Sequence, residues 1–230
     1  MSDEKPYNPL EKANLGKSVA DALLSRKATK LGELTPFHGA GIYAIYYAGD
    51  FSAYEKLSLI NATQGPTIPI YVGKAIPEGG RKGGNLFADK PTKALYRRLA
   101  EHAESIQSTE LKLEDFVCRY LVVDDIWIPL GEALLITEFS PLWNVFLDGF
   151  GNHDPGKGRY QGLAPKWDVL HPGRAWALKC AVRPETAGQI ASEAKSWLDQ
   201  APSLMQSRYE VNEARAHYHV DVLPAARSMK

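Results

Sequence analysis

The run GAGIYAIYYAG, from Gly39 to Gly49, constrains this chain more than any other segment. Between its bounding glycines it reads as a buried strand. Alternation then places Ile42, Ala44 and Tyr46 on one face and Tyr43, Ile45 and Tyr47 on the other. Three tyrosines in such a run are costly, because phenylalanine fills the same space without needing a partner for a hydroxyl. Tyr46 and Tyr47 are expected to be packing residues whose hydroxyls reach the surface. Alternation alone leaves Tyr43 and Tyr47 equivalent.

The segments around this strand supply its cover. A short helix is expected over 52–62 and a second strand at IPIYVGK (68–74), followed by a glycine-rich basic loop, AIPEGGRKGGN. PTKALYRRLAEHAESI (91–106) reads as a helix with Pro91 in its first turn and an apolar stripe of Leu95, Leu99, Ala103 and Ile106. FVCRYLVV (116–123) is a third strand, and DIWIPLGEALLITEF (125–139) a helix with Pro129 near its start. NLGKSVADALLSRK (14–27) forms an amphipathic helix with Leu15, Val19, Leu23 and Leu24 on one side. Its GKS is no phosphate loop, since Glu11 stands where that motif requires glycine. SPLWNVFLDGFGNHDPGKGR is loop-rich, and a last helix is expected over 184–199. The order predicts an α+β fold, with a small mixed or antiparallel three-stranded sheet flanked by helices.

Apolar residues at 44% and charged residues at 23% are an ordinary globular balance, with no run long enough for a membrane span. The N-terminus has no apolar signal region, so a cytoplasmic protein is expected. Cys118 and Cys180 are too far apart for a CxxC site and are expected to be reduced thiols; no ligand spacing fits zinc. The formal net charge is zero, but it is segregated. Between Tyr71 and Ala100 seven Lys/Arg face only Glu78 and Asp89, and between Gly151 and Cys180 five face Asp154 and Asp168. The intervening Glu101–Phe150 carries ten acidic residues against Lys112 and Arg119. Such a distribution can present a basic face to a polyanion.

The polar residues can now be placed on these elements. Tyr43 lies in the first strand and Tyr71 in the second. Arg98 and His102, four residues apart, project from one face of the next helix, off its leucine stripe. Glu132 sits among apolar residues early in the following helix, where a carboxylate must find a cation, a hydrogen bond or water. Asn144 closes PLWN after that helix. With GIY at 41–43 and YVG at 71–73, this ordered set resembles the GIY-YIG nuclease superfamily. The 27 residues between Tyr43 and Tyr71 are a longer connection than is usual there, and point to a subgroup. From about Phe37 to Cys180 the chain is similar to the type II restriction endonucleases recognising CCGCGG. The similarity includes PIYVGKA, PLWN, DGFGNHDPGKGR and WDVLHPGRAWALKC.

The resemblance implies three regions: an N-terminal arm and helix (1–36), a GIY-YIG catalytic core (37–150), and a C-terminal extension packed on the core (151–230). It implies Tyr43, Tyr71, Lys74, Arg98, His102, Glu132 and Asn144 as the catalytic set, with Tyr43 as general base and Glu132 holding Mg²⁺ or a substituting Mn²⁺. Chemically, Arg98 offers a charge-assisted contact to a scissile phosphate, and Lys74 adds charge beside it. The residues alone do not separate direct hydrolysis from a covalent tyrosyl intermediate; the resemblance implies direct hydrolysis. Arg81, Lys82, Asn152, His153, Lys157, Arg159 and Arg174 are the pool for DNA contacts. Implied partners are double-stranded DNA, a second copy of the chain and a cognate DNA methyltransferase. Two rival expectations are a structure-selective repair or recombination nuclease and a non-catalytic DNA-binding module.

Overall fold

The computed structural model describes residues 8–77 and 92–200. Among them, β1 (Thr29–Lys30), β2 (Gly41–Tyr47), β3 (Tyr71–Ala75) and β4 (Phe116–Val122) form one antiparallel sheet in the order β1-β4-β2-β3. The sheet has one strand more than expected: β1 pairs Thr29 with Cys118 and Lys30 with Val117, and two residues are too few to show alternation.

β2 is central and buried on both faces, so each face needs its own cover. Tyr43, Ile45 and Tyr47 face a core that includes Leu95, Leu99 and Ile106 of α3 (Ala94–Gln107) and Trp143 of the short helix α5 (Leu142–Val145). The same core takes in Trp167 of α6 (Lys166–Leu170) and Ile190, Ala194 and Leu198 of α7 (Ala187–Asp199). Ile42, Ala44 and Tyr46 face the other core, built with Ala20 and Leu23 of α1 (Lys12–Leu24) and Ile128, Leu135 and Phe139 of α4 (Ile128–Phe139). The sequence alternation is thus the division between two cores. Tyr46 and Tyr47 differ from expectation in being almost wholly buried. The Tyr47 hydroxyl accepts from the Phe51 amide at 2.9 Å, and the Arg119 guanidinium lies 5.1 Å from the Tyr46 ring.

The long connection between β2 and β3 is pinned at its end by one side chain. Asn61 of α2 (Glu55–Gln64) donates to the Tyr47 and Ile68 carbonyls and accepts from the Thr67 and Ile68 amides. Every hydrogen-bonding position of its amide is used. α3 begins at Ala94, and Pro91, expected in its first turn, lies outside the described residues. Its buried stripe is Leu95, Leu99, His102 and Ile106, so His102 lies in the stripe and not beside it. α7 opens on a capping box between Thr186 and Gln189. Among the described residues, no helix is long and apolar enough to cross a membrane.

Candidate active site

Strand register determines which groups meet. Tyr43 lies opposite Gly73, and Ile45 opposite Tyr71, so both tyrosines stand on the α3 face of the sheet. Lys74, opposite Ile42, points to the other face, toward α4. The site therefore straddles the edge strand β3.

On the α3 face, the Tyr43 hydroxyl is 2.6 Å from His102 Nε2, and both residues are fully buried. The Tyr71 ring packs 6.2 Å from that of Tyr43 and 5.2 Å from the His102 imidazole. Gly73 explains why glycine follows YV: a Cβ there would stand 2.4 Å from the Tyr43 hydroxyl and 2.5 Å from its Cζ. The phenol crosses β3 where side-chain volume is missing.

Arg98 reaches the same cluster from α3, four residues before His102. It donates to Glu101 at 3.0 Å, to His153 Nε2 at 2.7 Å and to the Gly151 carbonyl at 2.5 Å. A Cβ on Gly151 would meet the Tyr71 hydroxyl at 2.3 Å, so glycine is required there as well. Phe150 stacks on His102, with ring centroids 4.5 Å apart and planes 18° from parallel. Sequence does not single out Phe150 and Gly151, although a glycine beside an aromatic is the one local signal of close backbone approach. Nor does it single out Tyr54 and His171, which form a second buried Tyr–His pair, 2.6 Å apart. That pair extends to Glu110 at 2.7 Å and receives Trp143 Nε1 at 3.1 Å.

Burial dominates the electrostatics. It raises the Tyr43 phenol well above its ordinary 10, with Tyr71 adding to the rise and the Arg98 charge opposing it. Burial, assisted by Arg98, holds His102 well below 6.5. Both groups are therefore neutral at pH 7, and the phenol donates to Nε2 in the tautomer that carries the imidazole proton on Nδ1. Tyr71 is also raised by burial and lowered by Arg98.

Across β3, Lys74 Nζ lies 2.5 Å from Glu132 Oε2, so the carboxylate amid apolar residues has found a cation. Glu132 also pushes both tyrosine pKa values upward, which places its charge within electrostatic reach of the phenols. No cluster of three or more His, Cys, Asp or Glu residues that could cage a metal exists among the described residues. Glu132 is a single carboxylate beside the tyrosine–arginine cluster. Such a site fits an ion that keeps its waters and takes substrate oxygens, as Mg²⁺ does, and does not fit a cage-bound ion.

The remaining expected residues part company. Asn144 bonds to backbone: its Oδ1 accepts from Val72 N and its Nδ2 donates to Val72 O, both at 2.8 Å. This amide closes the open edge of β3 in place of a further strand. His153 belongs to Arg98's surroundings, while Asn152 just before it and Lys157 and Arg159 beyond it are exposed. Arg81 and Lys82 lie outside the described residues. Arg174 overturns its expectation as a DNA contact. It is 7% exposed and bonded to Asp168 and to backbone carbonyls, because its guanidinium neutralises a buried carboxylate.

Among curated proteins, none matches the chain. The family model described as the Eco29kI GIY-YIG domain matches residues 35–198, which takes in every described residue of the cluster. The chain thus belongs to the Eco29kI GIY-YIG domain family, a restriction-enzyme family of GIY-YIG nucleases whose substrate is DNA.

Proposed function

We propose that this protein is a Mg²⁺-dependent type II restriction endonuclease, cutting double-stranded DNA at a palindromic G/C-rich site such as CCGCGG. The observation that carries the reading is the 2.6 Å Tyr43–His102 hydrogen bond beside the Arg98 guanidinium. A standing phenolate at neutral pH costs about 4 kcal/mol even for an unperturbed tyrosine, and burial increases that cost. A relay avoids it. As water attacks phosphorus, Tyr43 takes the water's proton and passes its own to His102 Nε2. The attacking oxygen forms one P–O bond as the bond to the 3′ oxygen breaks. His102 suits the role because it is neutral and its Nε2 is already hydrogen-bonded to the phenol.

Arg98 exchanges internal acceptors for the non-bridging phosphate oxygens, where a planar guanidinium gives paired charge-assisted bonds. Lys74 holds Glu132 Oε2, and Glu132 is the residue that would carry the ion. Mg²⁺, or Mn²⁺ in its place, would supply charge neutralisation at the phosphate and at the leaving oxygen. A palindromic target cut on both strands motivates a homodimer, with a cognate methyltransferase protecting the host's own sites.

Plasmid DNA incubated with the protein and Mg²⁺ is expected to yield discrete fragments, and sequencing their ends reports site, cut position and overhang together. Glu132→Gln or chelation should abolish the cuts. Nicking set by branches and not by sequence would replace this reading with a structure-selective nuclease. Tight DNA binding without any cleavage would leave only a binding module.

A further inference from the structure

We propose that Arg174 is a positioning residue for cleavage, holding the Gly149–Asn152 loop so that Gly151 orients Arg98 and Phe150 braces His102. The inference rests on the nuclease reading above. A guanidinium has five N–H donors, and here each has an acceptor. Nε and one Nη2 hydrogen go to the two Asp168 oxygens, at 2.6 and 2.5 Å. The other Nη2 hydrogen goes to Gly149 O at 2.8 Å, and Nη1 serves Phe150 O at 3.0 Å and Asn152 O at 3.1 Å. The rings of Trp167 and Trp176 lie 4.6 and 4.8 Å from the guanidinium carbon.

Of four consecutive carbonyls, three are turned to Arg174. The fourth, Gly151 O, receives Arg98 Nη2 at 2.5 Å. The loop is strung between two arginines, one buried and one beside the phosphate-binding position. The ring stacked on His102 belongs to Phe150, whose carbonyl Arg174 holds. A buried ion pair brings little net stability, since desolvation cancels most of its attraction. What the fork supplies is direction: it faces three carbonyls one way and leaves the fourth for Arg98. Lysine keeps the charge, but three donors on one nitrogen cannot span a carboxylate and three carbonyls.

The test is a double-mutant cycle on single-turnover cleavage of a CCGCGG plasmid with Mg²⁺. R174K should cut about 10–100-fold more slowly, the scale expected when a reacting group is misplaced by about an ångström. Its affinity for the target duplex in Ca²⁺ should be unchanged. Added to R98K, R174K should cost less than it does alone, because one of its two routes to the site passes through Arg98. Losses that multiply in the double mutant overturn the proposal. Leu23→Ala, a change in the other core, which holds no residue of the loop, should cost stability without cost in rate. D168N, which replaces one of the two carboxylate oxygens that anchor the fork and so frees the guanidinium to turn from the carbonyls, carries the same cycle should R174K not fold. Hydrogen exchange separates this inference from the nuclease reading. R174K should speed exchange at residues 150–153 while β2 and β3 stay protected, and unchanged exchange there overturns the proposal whether or not DNA is cut.

Discussion

A phenol sealed beside a neutral imidazole holds its proton more tightly than one in water, and so does little alone. In the proposed relay, Tyr43 moves one proton in and another out. Tyr43→Phe tests this, because it deletes the hydroxyl and keeps the ring that lies across Gly73. Cleavage should fall about 10²–10⁴-fold, the range for a lost acid–base group. Stability should fall by about 1–3 kcal/mol, since His102 Nε2 loses its partner in a buried site. Plasmid cleavage and a thermal melt on the same preparation check both. At this scale the site was largely legible: ordered Tyr, Tyr, Arg, His and Glu residues on consecutive elements pointed to chemistry before any geometry. Arg174 was misread because a basic residue in a basic stretch looks like a surface charge. Its partner Asp168 lies six residues before it, and spacing reveals nothing of burial.

At the scale of elements, β3 is where the site is most exposed to error. It is the edge strand, and its open side is closed by the Asn144 amide on Val72 and by the Trp143 amide on Ile70 O, the latter at 2.9 Å. Val72 lies between Tyr71 and Gly73, so Asn144 acts on the site through backbone. Asn144→Ala leaves both polar groups of Val72 unpaired and should cost about 1–3 kcal/mol, with cleavage falling alongside. Asn144→Asp retains only the acceptor and should fall between the two. Amide exchange at Val72 is the direct measurement, and unchanged protection in the alanine variant would remove Asn144 from the site's support. Alternation placed β2 and β4 to within a residue or so because seven residues show the period more than once. β1 escaped for the opposite reason. In α3 a histidine inside an apolar stripe reads as an interruption; only the Tyr43 hydroxyl, reached through β2, makes it core.

For the whole molecule, two buried histidines set the response to acid. His102 and His171 are both held below 6.5 by burial, with Glu110 and Asp168 partly opposing the fall at His171. The unfolded chain therefore binds protons before the folded one does. Stability is fully present above about pH 6.5 and is lost as pH falls from there toward the folded-state values, by at most ~2.7 kcal/mol per pH unit with both groups contributing. Melting temperature followed from pH 7 to pH 5 should drop. Replacing His171 with Gln should flatten the curve while sparing the Tyr43–His102 pair, and an unflattened curve would show that His171 contributes nothing to it. The arrangement about β3 also bears on how such a site can be varied or grafted. Its tyrosine and glycine look one way and its lysine the other, so adding or deleting one residue within 71–74 would exchange the two sides and scatter the site at a stroke. The connection before it carries no such parity, since Asn61 fastens it to fixed backbone points whatever its length. Evolution and protein engineers alike can lengthen the approach to this strand, but within it they must count in twos.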